Sequence, residues 1–240
     1  ERLLTAMLGA SPPGAVRRRR SGSEGPVVVA VTALSVEREG RGGTAVRDAT
    51  LQVRSGEIVV VAAVEGNGQR ELLRAIAGVL PVASGTRQVA GPVAFIPEDR
   101  TTEALIGEFT LTENLELSDL STRGGLWLDR VGTRARVERL LRVYDVKAAG
   151  PSALAGSLSG GNQQKFVNGR ALDIDPAVLV AENPSRGLDA RATAAVHRQI
   201  RDAADGGAAV LMHCPDLEEA LAIADRIVVM SGGRLRNPPI

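Results

Sequence analysis

The stretch Ile58-Val59-Val60-Val61-Ala62-Ala63-Val64 runs straight into Glu65-Gly66-Asn67-Gly68-Gln69-Arg70. Seven apolar residues without a polar break suit a strand buried on both faces, because a strand with one wet face alternates apolar and polar residues. The glycine turn and helix start that follow form a phosphate cradle, since successive backbone N–H groups and the positive end of the helix dipole both favour an anion there. Similar apolar runs return at 93–96, 178–181, 208–212 and 227–230. Helical spacing lies beside them, at Val196, Ile200 and Ala203 and again across 217–224. Buried strands alternating with helices predict an α/β domain with a mostly parallel sheet core. Between about residues 101 and 172 the strand signal stops, while Val137, Leu140, Leu141 and Tyr144 keep helical spacing, so this segment reads as a helical insertion.

Composition narrows the possible company of this domain. The 240 residues are 44% hydrophobic, 24% charged and only 2% aromatic, so the core must be aliphatic. A net charge of +1 gives no global reason to bind nucleic acid or an anionic membrane. No apolar run approaches the roughly 20 residues that span a bilayer. With a single cysteine, Cys214, no disulfide can close within the chain, and a reducing compartment is the natural reading. Residues 1–26 read as a linker ahead of a domain at 27–240, because Pro, Gly, Ser and Arg from residue 11 onward offer no apolar face. Arg17, Arg18, Arg19 and Arg20 fit either a solvated connector or a phosphate-binding patch. A first residue of Glu1 rather than methionine suggests a piece of a longer chain.

The cradle departs from a working P-loop. Such a loop carries lysine where Gln69 stands, to reach the terminal phosphates, and Ser or Thr where Arg70 stands, to hold Mg²⁺. A second anion-receptive helix start lies at Leu158-Ser159-Gly160-Gly161-Asn162-Gln163-Gln164, where Ser159 fits an N-cap and the paired glycines leave amides open. About 20 residues after Leu158 the strand at 178–181 begins, and it leads into Glu182-Asn183-Pro184-Ser185-Arg186-Gly187-Leu188-Asp189.

Together these motifs resemble those of the ATP-binding-cassette family: residues 63–70 its Walker A loop, 158–162 its signature motif, 178–183 its Walker B strand and 187–189 its D-loop. The runs at 64–69, 158–165 and 183–189, with Ile96-Pro97-Glu98-Asp99-Arg100, are similar to the C-terminal half of simple-sugar and nucleoside importer ATPases, in which two cassettes share one polypeptide. The resemblance implies a P-loop NTPase-like cassette with ATP as cofactor. Its implied partners are the first cassette of the same polypeptide, transmembrane permease subunits and, indirectly, a substrate-binding protein, with no nucleic acid. The permease would hold it at the cytoplasmic face of the cell membrane.

In that family each ATP site joins the Walker motifs of one cassette to the signature motif of the other. By resemblance Glu65, Gly66, Asn67, Gly68, Gln69, Arg70 and Glu71 would line the cofactor-binding loop, with Glu98 in the Q-loop position and Glu182 in place of the Walker B aspartate. Asn183 stands where the general base belongs, and a neutral amide cannot take a proton from water there. Pro215 takes the place of the switch histidine; His213, two residues earlier, either substitutes for it or faces the core. No aromatic residue precedes Phe95 to stack on adenine. Ser159, Gly160, Gly161 and Asp189 match the partner-facing motifs and would close over ATP held by the first cassette. These readings predict weak or unhydrolysed ATP and no metal at the chain's own site, Mg²⁺ at the partner's site, and ATPase activity only within the tandem protein. Glu98 reads equally as part of a permease-docking junction or as a surface carboxylate near Arg100. Two other readings compete: a non-catalytic nucleotide-binding or structural module, and a soluble cassette ATPase outside transport.

Overall fold

The structure is a computed structural model and describes residues 25–38, 42–123 and 129–236. The expected linker at 1–26, with its four arginines, falls almost wholly outside the described residues. In chain order the elements are β1 (Val27–Glu37), β2 (Thr44–Arg54), β3 (Ile58–Ala63), α1 (Gln69–Ala77), β4 (Ser84–Val89), β5 (Val93–Ile96), α2 (Leu111–Arg123), α3 (Arg130–Val143), α4 (Gly160–Leu172), β6 (Val178–Glu182), α5 (Ala190–Asp205), β7 (Ala209–His213), α6 (Leu217–Ile223), β8 (Arg226–Ser231) and β9 (Arg234–Arg236). A wide helical turn at Arg100–Ala104 and a short 3₁₀ turn at Ala155–Ser157 complete them.

The apolar runs become the six-stranded sheet β5-β6-β7-β3-β8-β9, parallel except for its last strand. β3 lies between β7 and β8 and is covered on both faces, which is why its sequence has no polar break. Ile58 and Val60 point into the core shared with the helices of the insertion and with α5 and α6, whereas Val59 and Val61 point into a second core under α1. β6 splits the same way, Leu179 and Ala181 to the first core and Val178 and Val180 to the second. Full burial of each such Val, Leu or Ile is worth about 1.5–3 kcal/mol, so these strands anchor both layers.

A second sheet, antiparallel and ordered β2-β1-β4, closes the far side of α1. The parallel-sheet expectation omits it. Its alternation is visible in β2, where Ala49, Leu51 and Val53 are buried and their neighbours are exposed. In β1 the phase is broken by register shifts, with Ala33 in the left-handed region at φ +49°, so period-two reading fails along the strand.

α2, α3 and α4 fill the segment expected to be helical. Val137 and Leu140 are buried, and Gly169 gives Tyr144 its place, since a β-carbon on it would lie 2.6 Å from the Tyr144 ring. Arg136 ties the three helices together, reaching Asp119 at 2.5 Å and Asp173 at 2.7 Å. Among the described residues no helix is long and apolar enough to cross a membrane.

Candidate functional site

The strand β3 ends at the glycine loop, and the loop's shape is fixed by its neighbours. The Asn67 side chain donates to Val64 O at 2.8 Å and accepts from Gly232 N at 2.8 Å, while Gly233 N donates to Asn67 O at 3.1 Å. Gly68 then takes φ +96° to start α1, and a β-carbon there would drive into the Ala45 carbonyl. Only glycine serves at this position. Gly66 and Gly68 amides and the first amides of α1, on Gln69 and Arg70, have no backbone acceptor among the described residues. Gln69 is buried, donates weakly to Glu65 at 3.3 Å, and keeps its amide oxygen without a partner. Glu71 lies half-buried in the first turn of α1, outside these bonds.

One turn into α1 the chain supplies its own cation. Arg74 is 5% exposed, and its Nε donates to Glu182 Oε1 at 2.8 Å while Nη2 donates to Glu182 Oε2 at 3.1 Å. The same Nη2 bonds Glu103, whose other oxygen accepts from Arg70 at 2.5 Å. Glu182 Oε2 also accepts from Glu98 N at 3.1 Å, and the guanidinium carbon lies 5.8 Å from the centre of the Phe95 ring. Burial works against the charge on Arg74, but the hydrogen bonds to Glu182 and Glu103 outweigh it and hold the guanidinium above its ordinary range. A P-loop site holds Mg²⁺ between a hydroxyl in the loop and the carboxylate at the end of the neighbouring strand. Here the loop offers Arg70 in place of the hydroxyl, and both oxygens of Glu182 are already engaged. Among the described residues no cluster of three or more His, Cys, Asp or Glu side chains is arranged to hold a metal. The donor set does not fit Mg²⁺ at this loop.

The second helix start is built differently. Ser159 occupies the N-cap position of α4 with extended backbone, but its hydroxyl makes no capping bond. This corrects the expected cap: Asn162 Nδ2 donates to Ser159 Oγ at 2.9 Å and occupies the hydroxyl, while Asn162 Oδ1 accepts from Lys147 N at 2.9 Å. Ser159 is exposed and Gly160 and Gly161 are half-buried, so the first turn of α4 presents amides without a side-chain acceptor. Arg100 lies against this turn. Its Nε donates to Gln163 at 3.4 Å and its Nη1 to Arg186 O at 3.4 Å, and a β-carbon on Gly160 would collide with Nη2.

Between the two helix starts runs the loop 183–189. Asn183 sits at φ +48°, a conformation its short amide side chain tolerates, and its N–H donates to His213 O at 2.9 Å. Asp189 is exposed and caps α5, accepting from Ala192 N at 2.8 Å. The loop is pinned to α4 by Asn168, which donates to Pro184 O at 2.9 Å, and to α6 by Ser185, which donates to Glu219 at 2.5 Å. Burial alone would raise Glu219, but bonds from His197, Ser185 and Cys214 outweigh it and hold the carboxyl below its ordinary range. Burial first, and Glu219 second, push the Cys214 thiol up to about 12. The partner of Glu98 is Arg186, at 3.3 Å, and not Arg100. His213 is buried, with Nδ1 donating to Val61 O at 2.9 Å, so it faces the core.

Arg74, Glu103 and Arg100 escape a reading of the sequence alone. Arg74 and Glu182 are 108 residues apart, and only the parallel pairing of the sheet brings them together. The one available signal was a second basic residue, Arg74, one helical turn after Arg70 and so on the same face.

The arrangement has the fold of ATP-binding cassettes. An ATP-binding subunit of an ABC transporter superposes with a TM-score of 0.73, over 88% of this chain and 90% of its own, at 24% identity. A dimeric ATP-binding cassette in a post-hydrolysis state, bound to ADP and Pi, gives 0.76 over 88% and 99%, at 19% identity. No family model matches the chain. In sequence it is similar to the nucleoside import ATP-binding protein NupA of Lactococcus lactis, 36% identical in an alignment that covers 88% of this chain and 45% of that protein. The guanosine import ATP-binding protein NupO of Bacillus subtilis is 36% identical over 90% of this chain and 46% of its own length. The ribose import ATP-binding protein RbsA 1 of Streptomyces avermitilis is 38% identical over 84% and 41%. The chain spans about half the length of the curated relatives it matches.

Proposed function

We propose that this chain is the second ATP-binding cassette of a tandem importer ATPase for simple sugars or nucleosides, and that it lends its α4 start to an ATP site whose Walker motifs belong to the first cassette. The carrying observation is the uncapped, outward-facing start of α4 at Ser159, Gly160 and Gly161, next to the loop that ends at Asp189. The names of the relatives and the half-length match support the reading. Amides of that turn and the helix dipole stabilise the charge that builds on a γ-phosphate during hydrolysis, while the base and Mg²⁺ belong to the partner cassette. The chain's own loop, with Gln69, Arg70 and Asn183, binds ATP without turning it over. Permease subunits hold the pair at the cytoplasmic face of the membrane, and the substrate-binding protein acts through them.

The test places Ser159→Arg or Gly160→Asp in the tandem protein assembled with its permease. Each change puts bulk or negative charge where the phosphate must sit and removes stabilisation of roughly 2.7–4 kcal/mol per lost donor, so ATPase and transport fall at least about 100-fold. Gln69→Ala, at the chain's own loop, costs less than about tenfold by comparison, because Gln69 makes one long bond, to Glu65 at 3.3 Å, and this loop turns over no ATP. Equal small effects at both places would sink the assignment of chemistry to α4.

A further inference from the structure

The ion network at the start of α1 has a consequence for what that loop can bind. Two charges that a nucleotide site normally receives from outside, a cation against the strand-end carboxylate and an anion against the loop, are both supplied here by the chain. Arg74 provides the cation: it grips both oxygens of Glu182, at 2.8 and 3.1 Å, from a position only 5% exposed. Glu103 provides the anion, bridging Arg74 and Arg70 from the turn that leads into the helical insertion. A magnesium ion placed on Glu182 would have to displace a buried guanidinium or sit against it, and Mg²⁺ also demands near-octahedral oxygen ligation that Arg70 cannot offer. Glu103 is the movable part of the network: 28% of its side chain is exposed, and its partner Arg70 is 44% exposed.

We propose that Arg74 is the resident cation of this half-site, and that the site takes the triphosphate of a nucleotide free of metal, on Arg70 and the loop amides, with Glu103 giving way to the phosphate. Gly66, Gly68, Gln69 and Arg70 carry the amides for it, and the unpartnered oxygen of Gln69 lies buried at the same loop. The inference rests on reading residues 63–70 as a nucleotide half-site, but it is tested apart from the role of α4.

ATP is titrated calorimetrically into the full 240-residue chain, once in EDTA and once in magnesium chloride at matched ionic strength. In excess magnesium chloride most ATP carries the metal, so binding is weaker there than in EDTA by at least about tenfold, and Arg70→Gln weakens binding in EDTA at least about tenfold through loss of one charge-assisted contact. Arg74→Met, which frees Glu182, makes binding tighter with magnesium than with EDTA by at least about tenfold. Arg74→Lys keeps a cation in place and keeps the tighter binding in EDTA. The first two arms decide the matter even where Arg74→Met does not fold. Binding of the unaltered chain that is as tight or tighter with magnesium overturns the proposal, as does unchanged affinity in Arg70→Gln. Absence of ATP binding in both buffers overturns it together with the nucleotide assignment of the loop, and leaves the transport test of α4 standing.

Discussion

Helices α1 and α4 both start at a turn that holds a glycine, Gly68 and Gly160, both lack a side-chain cap, and both have an arginine close by. At α1 the fold has set its own ions beside the start, Arg74 on Glu182 and Glu103 on Arg70. At α4 it has withdrawn even the ordinary cap, because the Ser159 hydroxyl is held by Asn162. The dipole and the orphan amides are the same at the two starts, so they cannot explain the difference. What the surrounding strands bring within reach of each turn decides whether it is satisfied internally or left for a ligand.

The contrast can be broken most easily at Arg74. Removing one partner of a buried ion pair leaves the other charge stranded, so Arg74→Met should lose about 3–5 kcal/mol of stability in urea unfolding. Arg74→Met combined with Glu182→Gln should recover more than half of that loss; a single-variant cost under about 1 kcal/mol would mean that Glu182 is not closed off after all.

A smaller effect sharpens the difference between a cap that works and one that does not. Asp189→Ala removes a made bond to Ala192 N and should cost about 1 kcal/mol. Ser159→Ala removes a hydroxyl that caps nothing, and its stability should stay within about 0.5 kcal/mol of the original. Matching losses at the two positions would show that α4 is capped in solution like α5.

The last expectation concerns pH and the loop between the two helix starts. Glu219, which accepts from Ser185 in that loop, has a folded pKa below its unfolded one. The stability it contributes is therefore present above the ordinary glutamate value of about 4.3 and lost as pH falls through the folded pKa. The gap between the original chain and Glu219→Gln should shrink over that acid range in denaturation curves. A constant gap from neutral to strongly acid solution would remove Glu219 as the anchor.

Much of the architecture is legible in the amino-acid sequence because β3, β6 and β7 are covered on both faces, which forces unbroken apolar runs. β1 resists, since a bulge near Ala33 slips its inside and outside residues past each other. The glycine loop and the α4 start are legible as anion-receptive turns because their backbone needs are local. Their finish is not. Whether Ser159 caps depends on Asn162 competing for the hydroxyl, and whether Glu182 is available depends on Arg74, which belongs to a helix 108 residues earlier.

The pairing of β3 also sets when the glycine loop can take shape during synthesis. Val61 pairs with His213, and the hydrogen bond between them spans 152 residues. At about 5–20 residues per second a ribosome needs roughly 8–30 seconds to add that stretch, so β3 leaves the tunnel long before either neighbouring strand exists. Until then its unbroken apolar run is an unpaired edge, and the polar clamp on Asn67 from Gly232 and Gly233 is later still. Chains cut short before β8 would carry the whole glycine loop without Gly232 and Gly233 to clamp it, which makes this stretch the one that nascent-chain chaperones should be found holding.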